Sequence, residues 1–399
     1  MTAEQPTYPP VSLRSQIPFW RDERVLRILA QVVSAIMITG FVVWMVRNVI
    51  ITAQQRGLSL GFRFLTQSAG FPIGESLIPY DPSMSFAYAF FVGVLNTLYV
   101  SSLGIIFATI LGVFAGIARL SSNWLVSKLA QVYIEVHRNI PLLVLLYLWH
   151  SAVFLQLPRV QESIVWPGPV YLNQRGLYMT WPRLTETGQP FVIGFAAGLI
   201  LAAVAWVLLS RLQTARGGNT HYVLISLVVL AVCTAAGWII SGGNPIALDV
   251  PELRGFNFRG GMHLSPEFAA LLVGLVTYTS AFIADVVRAG IQAVPRGQVE
   301  AARALGLNYR QALSLVIMPQ ALRVIIPPLI SQYLNLTKNS SLAAFIGFTE
   351  LFFIGKTTIN QAGRALQVIL LVMAVYLVIS LFTSLIMNLY NRRVQFVER

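Results

Sequence analysis

Eight apolar runs divide this chain, lying at 28–46, 88–116, 140–157, 191–209, 222–240, 267–285, 326–346 and 367–390. A helix needs about 20 mostly apolar residues to cross the hydrocarbon core of a bilayer. Most of the runs meet that length, the second and eighth are long enough to tilt, and the third is short for a full crossing. The seventh is interrupted by Pro327, Pro328, Asn335, Lys338 and Asn339. Composition points the same way: 56% of residues are hydrophobic and 11% charged, against about 25% charge in globular domains. The expected fold is an all-α polytopic membrane protein of about eight transmembrane helices.

The net charge of +13 does not indicate nucleic acid. Nucleic-acid binding needs Lys and Arg gathered into a patch or stripe, and here they stand between the apolar runs, where membrane proteins place the charges that set orientation. With eight spans both termini share a side. More than half of the 28 Lys and Arg residues fall on that side, which is therefore expected to be cytoplasmic. The first 27 residues are polar and contain Pro, and no small-residue cleavage site follows the first run, so that run is expected to be a retained span rather than a leader. Cys233 is the one cysteine, and His137, His150, His221 and His263 are scattered. Neither an internal disulfide nor a metal site is expected.

The segments 47–87, 158–190 and 241–266 fall on the other side, rich in Pro, Gly and aromatic residues. Trp166-Pro167-Gly168-Pro169 and Trp181-Pro182 are expected to form rigid turns. The cytoplasmic segment 286–325 is patterned differently. Gln298 to Leu305 consists of helix formers, and Gly306 stands where a C-cap glycine would. Asn308 with Gln311 three residues later matches a capping box. A second helix is expected to run to Met318, where Pro319 stops or kinks it. The segment thus encodes two short helices around a tight turn, carrying Glu300, Arg303 and Arg310. Read from its residues alone, it is either a docking knob or a solvated amphipathic loop.

Glu300-Ala301-Ala302, three residues, Gly306, nine residues and Val316-Ile317-Met318-Pro319 resemble the EAA loop of ABC importer permeases, with Val316 and Met318 in place of the usual Ile and Leu. Gly93 to Leu98, Tyr133 to Leu143 and Phe282 to Ile291 look like the polar amino-acid uptake branch of that family. Asn139-Ile140 replaces its Gly-Thr, and Asp285 its Glu. The enlarged chain resembles general L-amino-acid permeases of the AapQ and BztB type. The resemblance implies a five-helix core over 88–157 and 267–392, an extra span and outer segment over 28–87, and an insertion with two spans over 158–266, between tails at 1–27 and 393–399. It implies that Glu300, Ala301, Ala302, Arg303, Gly306 and Pro319 couple the chain to a separate ATPase. ATP would be used by that partner, with no cofactor in this chain. Implied partners are two ABC ATPase subunits, a second permease subunit and a periplasmic amino-acid-binding protein, in a bacterial inner membrane.

Charged groups inside spans cost about 2.5–3.5 kcal/mol each and so mark function or pairing. Asp285 and Arg288 share a helix face; they form an interfacial ion pair, or Asp285 lines a substrate path. Lys338, with Asn335 and Asn339, follows the double proline, where a broken helix would offer a mid-membrane ligand site; alternatively the span ends near Leu336 and Lys338 meets water. Asn96 and Tyr278 are further candidates for the path, or helix-to-helix hydrogen bonders. Gly355-Lys356-Thr357 imitates the end of a phosphate loop, but Glu350 occupies the first glycine position, and ATP binding there is rejected. The alternatives in function are a transporter driven by an ion gradient and a membrane enzyme or scaffold. The paired helices of 286–325 argue against the first, and the lack of any catalytic constellation against the second.

Overall fold

The computed structural model describes residues 23–55, 61–217 and 221–394. Most of both expected tails, 1–27 and 393–399, therefore lies outside the described residues. The chain divides into two compact units, 1–64 and 65–399. The first holds helix α1 (Glu23–Gln55), longer than the expected run at both ends, whose described side chains are exposed all the way round. A helix apolar on every face is covered by lipid rather than by a core of its own.

The second unit is built on α2 (Phe86–Arg119) and, later in the chain, α7 (Pro266–Gln292). Small residues let them approach closely. Gly104, Ala108, Gly112 and Gly116 recur every four residues and are buried on α2; Gly112 and Gly116 face α7, while Gly104 faces Leu336. A Cβ on Gly112 would stand 2.6 Å from Ile283 Cγ2, and one on Gly116 would stand 2.7 Å from the Ala284 carbonyl oxygen. Lipid tails are as apolar as side chains, so close packing of this kind drives association between spans.

After α2 the chain forms α3 (Trp124–Asn139), then α4 (Leu142–Tyr147), a π-turn at Leu148–Val153 and a 3-10 turn at Phe154–Gln156. The helices on either side of Ile140-Pro141 meet at 105°. The expected third span, 140–157, is thus one arm of a bent pair rather than a straight crossing. Among the described residues, seven helices are long and apolar enough to cross a membrane, or eight if the bent pair counts as one.

The insertion holds more than spans and loops. It contains β1 (Ile164–Trp166), β2 (Val170–Asn173), β3 (Gly176–Met179), β4 (Trp181–Leu184), α5 (Gln189–Arg216), α6 (Tyr222–Ile240), β5 (Ile246–Asp249), β6 (Glu252–Arg254), β7 (Asn257–Arg259) and β8 (Met262–Leu264). β1, β2, β3 and β8 form an antiparallel sheet, and β4 pairs with β5 and β6 with β7. Trp166 to Pro169 does turn the chain between β1 and β2, whereas Trp181-Pro182 does not turn: it lies in β4, with Pro182 opposite Leu248. Proline is tolerated in a strand at an edge, where its missing N–H is not needed. α5 and α6 pack antiparallel, with Gly194 and Gly198 against Cys233 and Gly237 against Gly194.

From α7 the chain enters α8 (Arg296–Ala304) and α9 (Tyr309–Ala312), a π-turn at Leu313–Ile317 and α10 (Met318–Asn339). Two expectations are corrected here. Pro319 does not stop the second helix; it occupies the first turn of α10, where its missing N–H costs least. Nor do Pro327 and Pro328 break the span, because both lie inside α10. The break falls later, where α10 gives way to a 3-10 segment at Ser340–Phe345. α11 (Leu351–Ala362) and α12 (Ala365–Val394) follow.

Contacts along α2 fix the direction of its neighbours. Gly93 meets Leu351, Gly104 meets Leu336, and Gly116 meets Ala284 and Val287. Gly290 meets Ile325. The starts of α2 and α7 and the end of α10 therefore share one end of the core, next to β8, while α8 and α9 occupy the opposite end. Between the two ends runs an apolar core that includes Leu146, Phe268, Leu271, Leu275, Ile325 and Leu336.

Candidate functional site

The elbow between α7 and α10 is built by local rules. Gly306 takes φ +79°, a left-handed conformation that costs a residue with a Cβ about 1 kcal/mol or more. It allows the Leu307 N–H to reach the Ala302 carbonyl (3.1 Å) and the Gly306 N–H to reach the Arg303 carbonyl (2.9 Å), the paired bonds of a Schellman cap. Asn308 and Gln311 then cap the next helix reciprocally. The Asn308 N–H donates to Gln311 Oε1 (3.0 Å), and the Gln311 N–H donates to Asn308 Oδ1 (2.9 Å). Both ends of the turn are thereby satisfied without help from another chain.

Ala302 and Ala312 are buried, which seats the elbow on the core, and Gln320 Nε2 of α10 donates to Gln298 Oε1 (3.3 Å). Glu300, Ala301, Arg303 and Gly306 are exposed. So is Leu305, at 81%, an apolar side chain raised at the tip beside the charges. Its helix-forming character was visible in the sequence, but its exposure was not.

The candidates for a substrate path do not come together. Asp285 is paired with Arg138 of α3, more closely than with Arg288 at 4.0 Å. Arg138 also lies over the Phe282 ring, 5.3 Å from its centre. This fixes the end of α3 against α7, the ion-pair role rather than an open carboxylate. Asn96 is buried, with its amide donating to the carbonyls of Glu75 and Thr349, both at 2.8 Å; it ties two loops to α2. Tyr278 packs against Phe282 with the rings tilted by 54° and their centres 5.0 Å apart. Asn335 and Lys338 are exposed, and Asn339 partly so, at the end of an unbroken helix. Lys338 borders a groove shared with Phe352 and Tyr376.

Sequence reasoning treated Glu350 only as a misfit in a phosphate loop. It is wholly buried and caps α11, accepting from the Phe352 and Phe353 N–H groups and from Tyr376 Oη, each at 2.8 Å. Burial pushes its carboxyl up to about 7, against the lowering effect of those three donors. Gly355-Lys356-Thr357 lies within α11, where Gly355 admits Val372 of α12.

The family described as the binding-protein-dependent transport system inner membrane component has a model that matches residues 221–396, which contain the whole elbow. Its match and the full-length relatives that follow define the class: the chain belongs to the amino-acid ABC transporter permeases and is a membrane-spanning subunit of a binding-protein-dependent importer. It is 46% identical to the putative amino-acid ABC transporter permease protein YhdX of Escherichia coli (strain K12), over 93% of this chain and 94% of that one. It is 43% identical to the general L-amino acid transport system permease protein AapQ of Rhizobium johnstonii, over 95% and 94%. The glutamate/glutamine/aspartate/asparagine transport system permease protein BztB of Rhodobacter capsulatus is 39% identical, over 95% and 96%. Membership of this family sets aside the transporter driven by an ion gradient.

Proposed function

We propose that this permease carries L-amino acids inward across a bacterial inner membrane, and that the elbow Glu300–Gly306 is where ATP-driven motion enters it. The observation that carries the reading is the doubly capped, self-supporting elbow, which offers Glu300, Arg303 and Leu305 to a partner at one end of the spans. A rigid body seated on α7 and α10 transmits a push to both, and a flexible loop would absorb it. Two ABC ATPase subunits supply the push and use the ATP; this chain supplies the path. A second permease subunit completes the path, a periplasmic binding protein delivers the amino acid at the opposite end, and both termini lie in the cytoplasm with the elbow.

The test is uptake by the reconstituted importer. Glu300→Arg reverses an exposed docking charge, and Gly306→Pro removes both the left-handed turn and its N–H. Each is expected to cut ATP-driven amino-acid uptake at least about tenfold while the protein still inserts and still forms its spans by circular dichroism. Uptake at the wild-type rate in both variants would remove the elbow from the mechanism.

A further inference from the structure

At the end of the core opposite the elbow, a cavity of about 440 Å³ opens between the inserted sheet and the helix ends. That volume lies within the range of about 300–1,000 Å³ typical of small-molecule sites. Its wall is assembled from four distant stretches of chain. Glu75 comes from the loop before α2, Arg175 from the β2–β3 turn, His263 from β8 and Glu267 from the first turn of α7, with Tyr178 and Asn257 beside them.

The wall is organised rather than incidental. Glu75 Oε1 accepts from the Ser265 N–H, the Tyr178 hydroxyl donates to Asn257 Oδ1 (2.9 Å), and His263 stacks on Tyr178 with Nε2 at 2.8 Å from the Arg175 carbonyl oxygen. Glu267 faces His150 at 3.6 Å. Arg175 is held at a tight turn, where its N–H donates to Asn173 Oδ1 (2.9 Å). Among the described residues no carboxylate lies within ion-pair distance of its guanidinium, and no Lys or Arg pairs with Glu75. The cavity thus holds carboxylates without a full set of cations, and a guanidinium without a carboxylate.

We propose that this cavity is an outer vestibule that binds the zwitterionic head group of an α-amino acid, its ammonium toward Glu75 and Glu267 and its carboxylate toward Arg175. Burial raises the Glu75 carboxyl above the usual carboxylate range, a cost that an incoming ammonium relieves. Recognition falls on the part common to all α-amino acids, which leaves the side chain unselected. Four of the named wall residues, Arg175, Tyr178, Asn257 and His263, come from the insertion, so the added sheet completes the site. The vestibule rests on the import reading above: it receives what the binding protein releases and holds it until the spans open.

The test uses the complete importer, with its ATPase subunits and binding protein, in proteoliposomes. The readout is amino acid accumulated per ATP hydrolysed, for whichever of L-glutamate, L-glutamine and L-leucine is carried best. Arg175→Gln and Glu267→Gln each remove one charged contact and are expected to lower that ratio about tenfold, because substrate escapes before transfer. Arg175→Lys keeps the charge at an exposed turn and is expected to retain most of the ratio, which a fold defect would not. An unchanged ratio in both neutral variants overturns the vestibule while leaving import intact. A wild-type complex that accumulates none of the three amino acids overturns the import reading itself. The head group of phosphatidylethanolamine is also zwitterionic. Exchanging that lipid for phosphatidylglycerol is expected to leave the ratios unchanged, and effects of the substitutions that vanish with the exchange would assign the cavity to lipid instead.

Discussion

Glu350 shows how much one side chain can decide. Its carboxyl is fully buried at the start of α11, and burial outweighs the three donors that favour its charged form. The folded protein therefore holds the Glu350 proton up to about pH 7, while the unfolded chain releases it near the ordinary value of about 4.3. Below that value both states are protonated and the group is neutral in its effect. As pH rises toward 7, only the unfolded chain loses the proton, so stability falls across that window. The thermal unfolding midpoint is expected to be higher at pH 5 than at pH 8, and Glu350→Gln is expected to remove most of that difference. Equal pH dependence in wild type and variant, followed by circular dichroism in detergent, would count against it. The residue was visible in the sequence only as the acid that spoiled a phosphate-loop match. Its partner Tyr376 lies 26 positions away, and no local rule links the two. Asp285 gave the converse result. Its neighbour Arg288 was legible from helix spacing, whereas Arg138 sits 147 positions away and takes the better bond.

At the scale of elements, what was legible follows the range of the forces. Capping is settled within a turn or two of backbone, so Gly306, Asn308 and Gln311 could be assigned from spacing alone. The double proline misled, because the cost of proline in a helix is usually argued for water. Inside a bilayer, stopping the helix would free several backbone groups with nothing to bond, whereas Pro327 and Pro328 remove two donors. The strands were missed because each has three or four residues and they pair across a long insertion, beyond the reach of local periodicity. The small-residue face of α2 makes a quantitative prediction. Gly112→Leu would place atoms where Ile283 and the Ser280 carbonyl already stand, within 2.9 Å of the new Cβ. It is expected to separate α2 from α7 and to destabilise the fold by about 3 kcal/mol, the upper end for overpacking. A lowered midpoint in a fluorescence melt, of several degrees relative to Gly104→Ala, is the check; equal midpoints would show that the helices can shift to make room.

Taken whole, the second unit has two structurally distinct ends joined by a packed apolar core. The elbow lies at one, and the charged cavity at the other. α7 joins them directly, from Glu267 in its first turn to the residues leading into α8. On the function proposed above, such a layout takes energy at the elbow and uses it at the opposite end. Uptake by the reconstituted importer is accordingly expected to continue when ionophores collapse ion gradients, and to stop when ATP is withdrawn. Uptake that followed the gradient instead would contradict the layout. Span count, fold class and the elbow end were legible because they rest on composition and short spacing. The opposite end was not, since Glu75, Arg175, His263 and Glu267 meet only once β3 has found β8.

That pairing has a practical corollary. Met179 and Met262 sit opposite each other on adjacent strands, about 5 Å apart, although 82 residues separate them on the chain between those two positions. Everything between them could be excised and the gap bridged by a two-residue hairpin turn, yielding a trimmed permease with its main sheet closed. Equally, a foreign domain whose termini lie that near together could be grafted into the same slot.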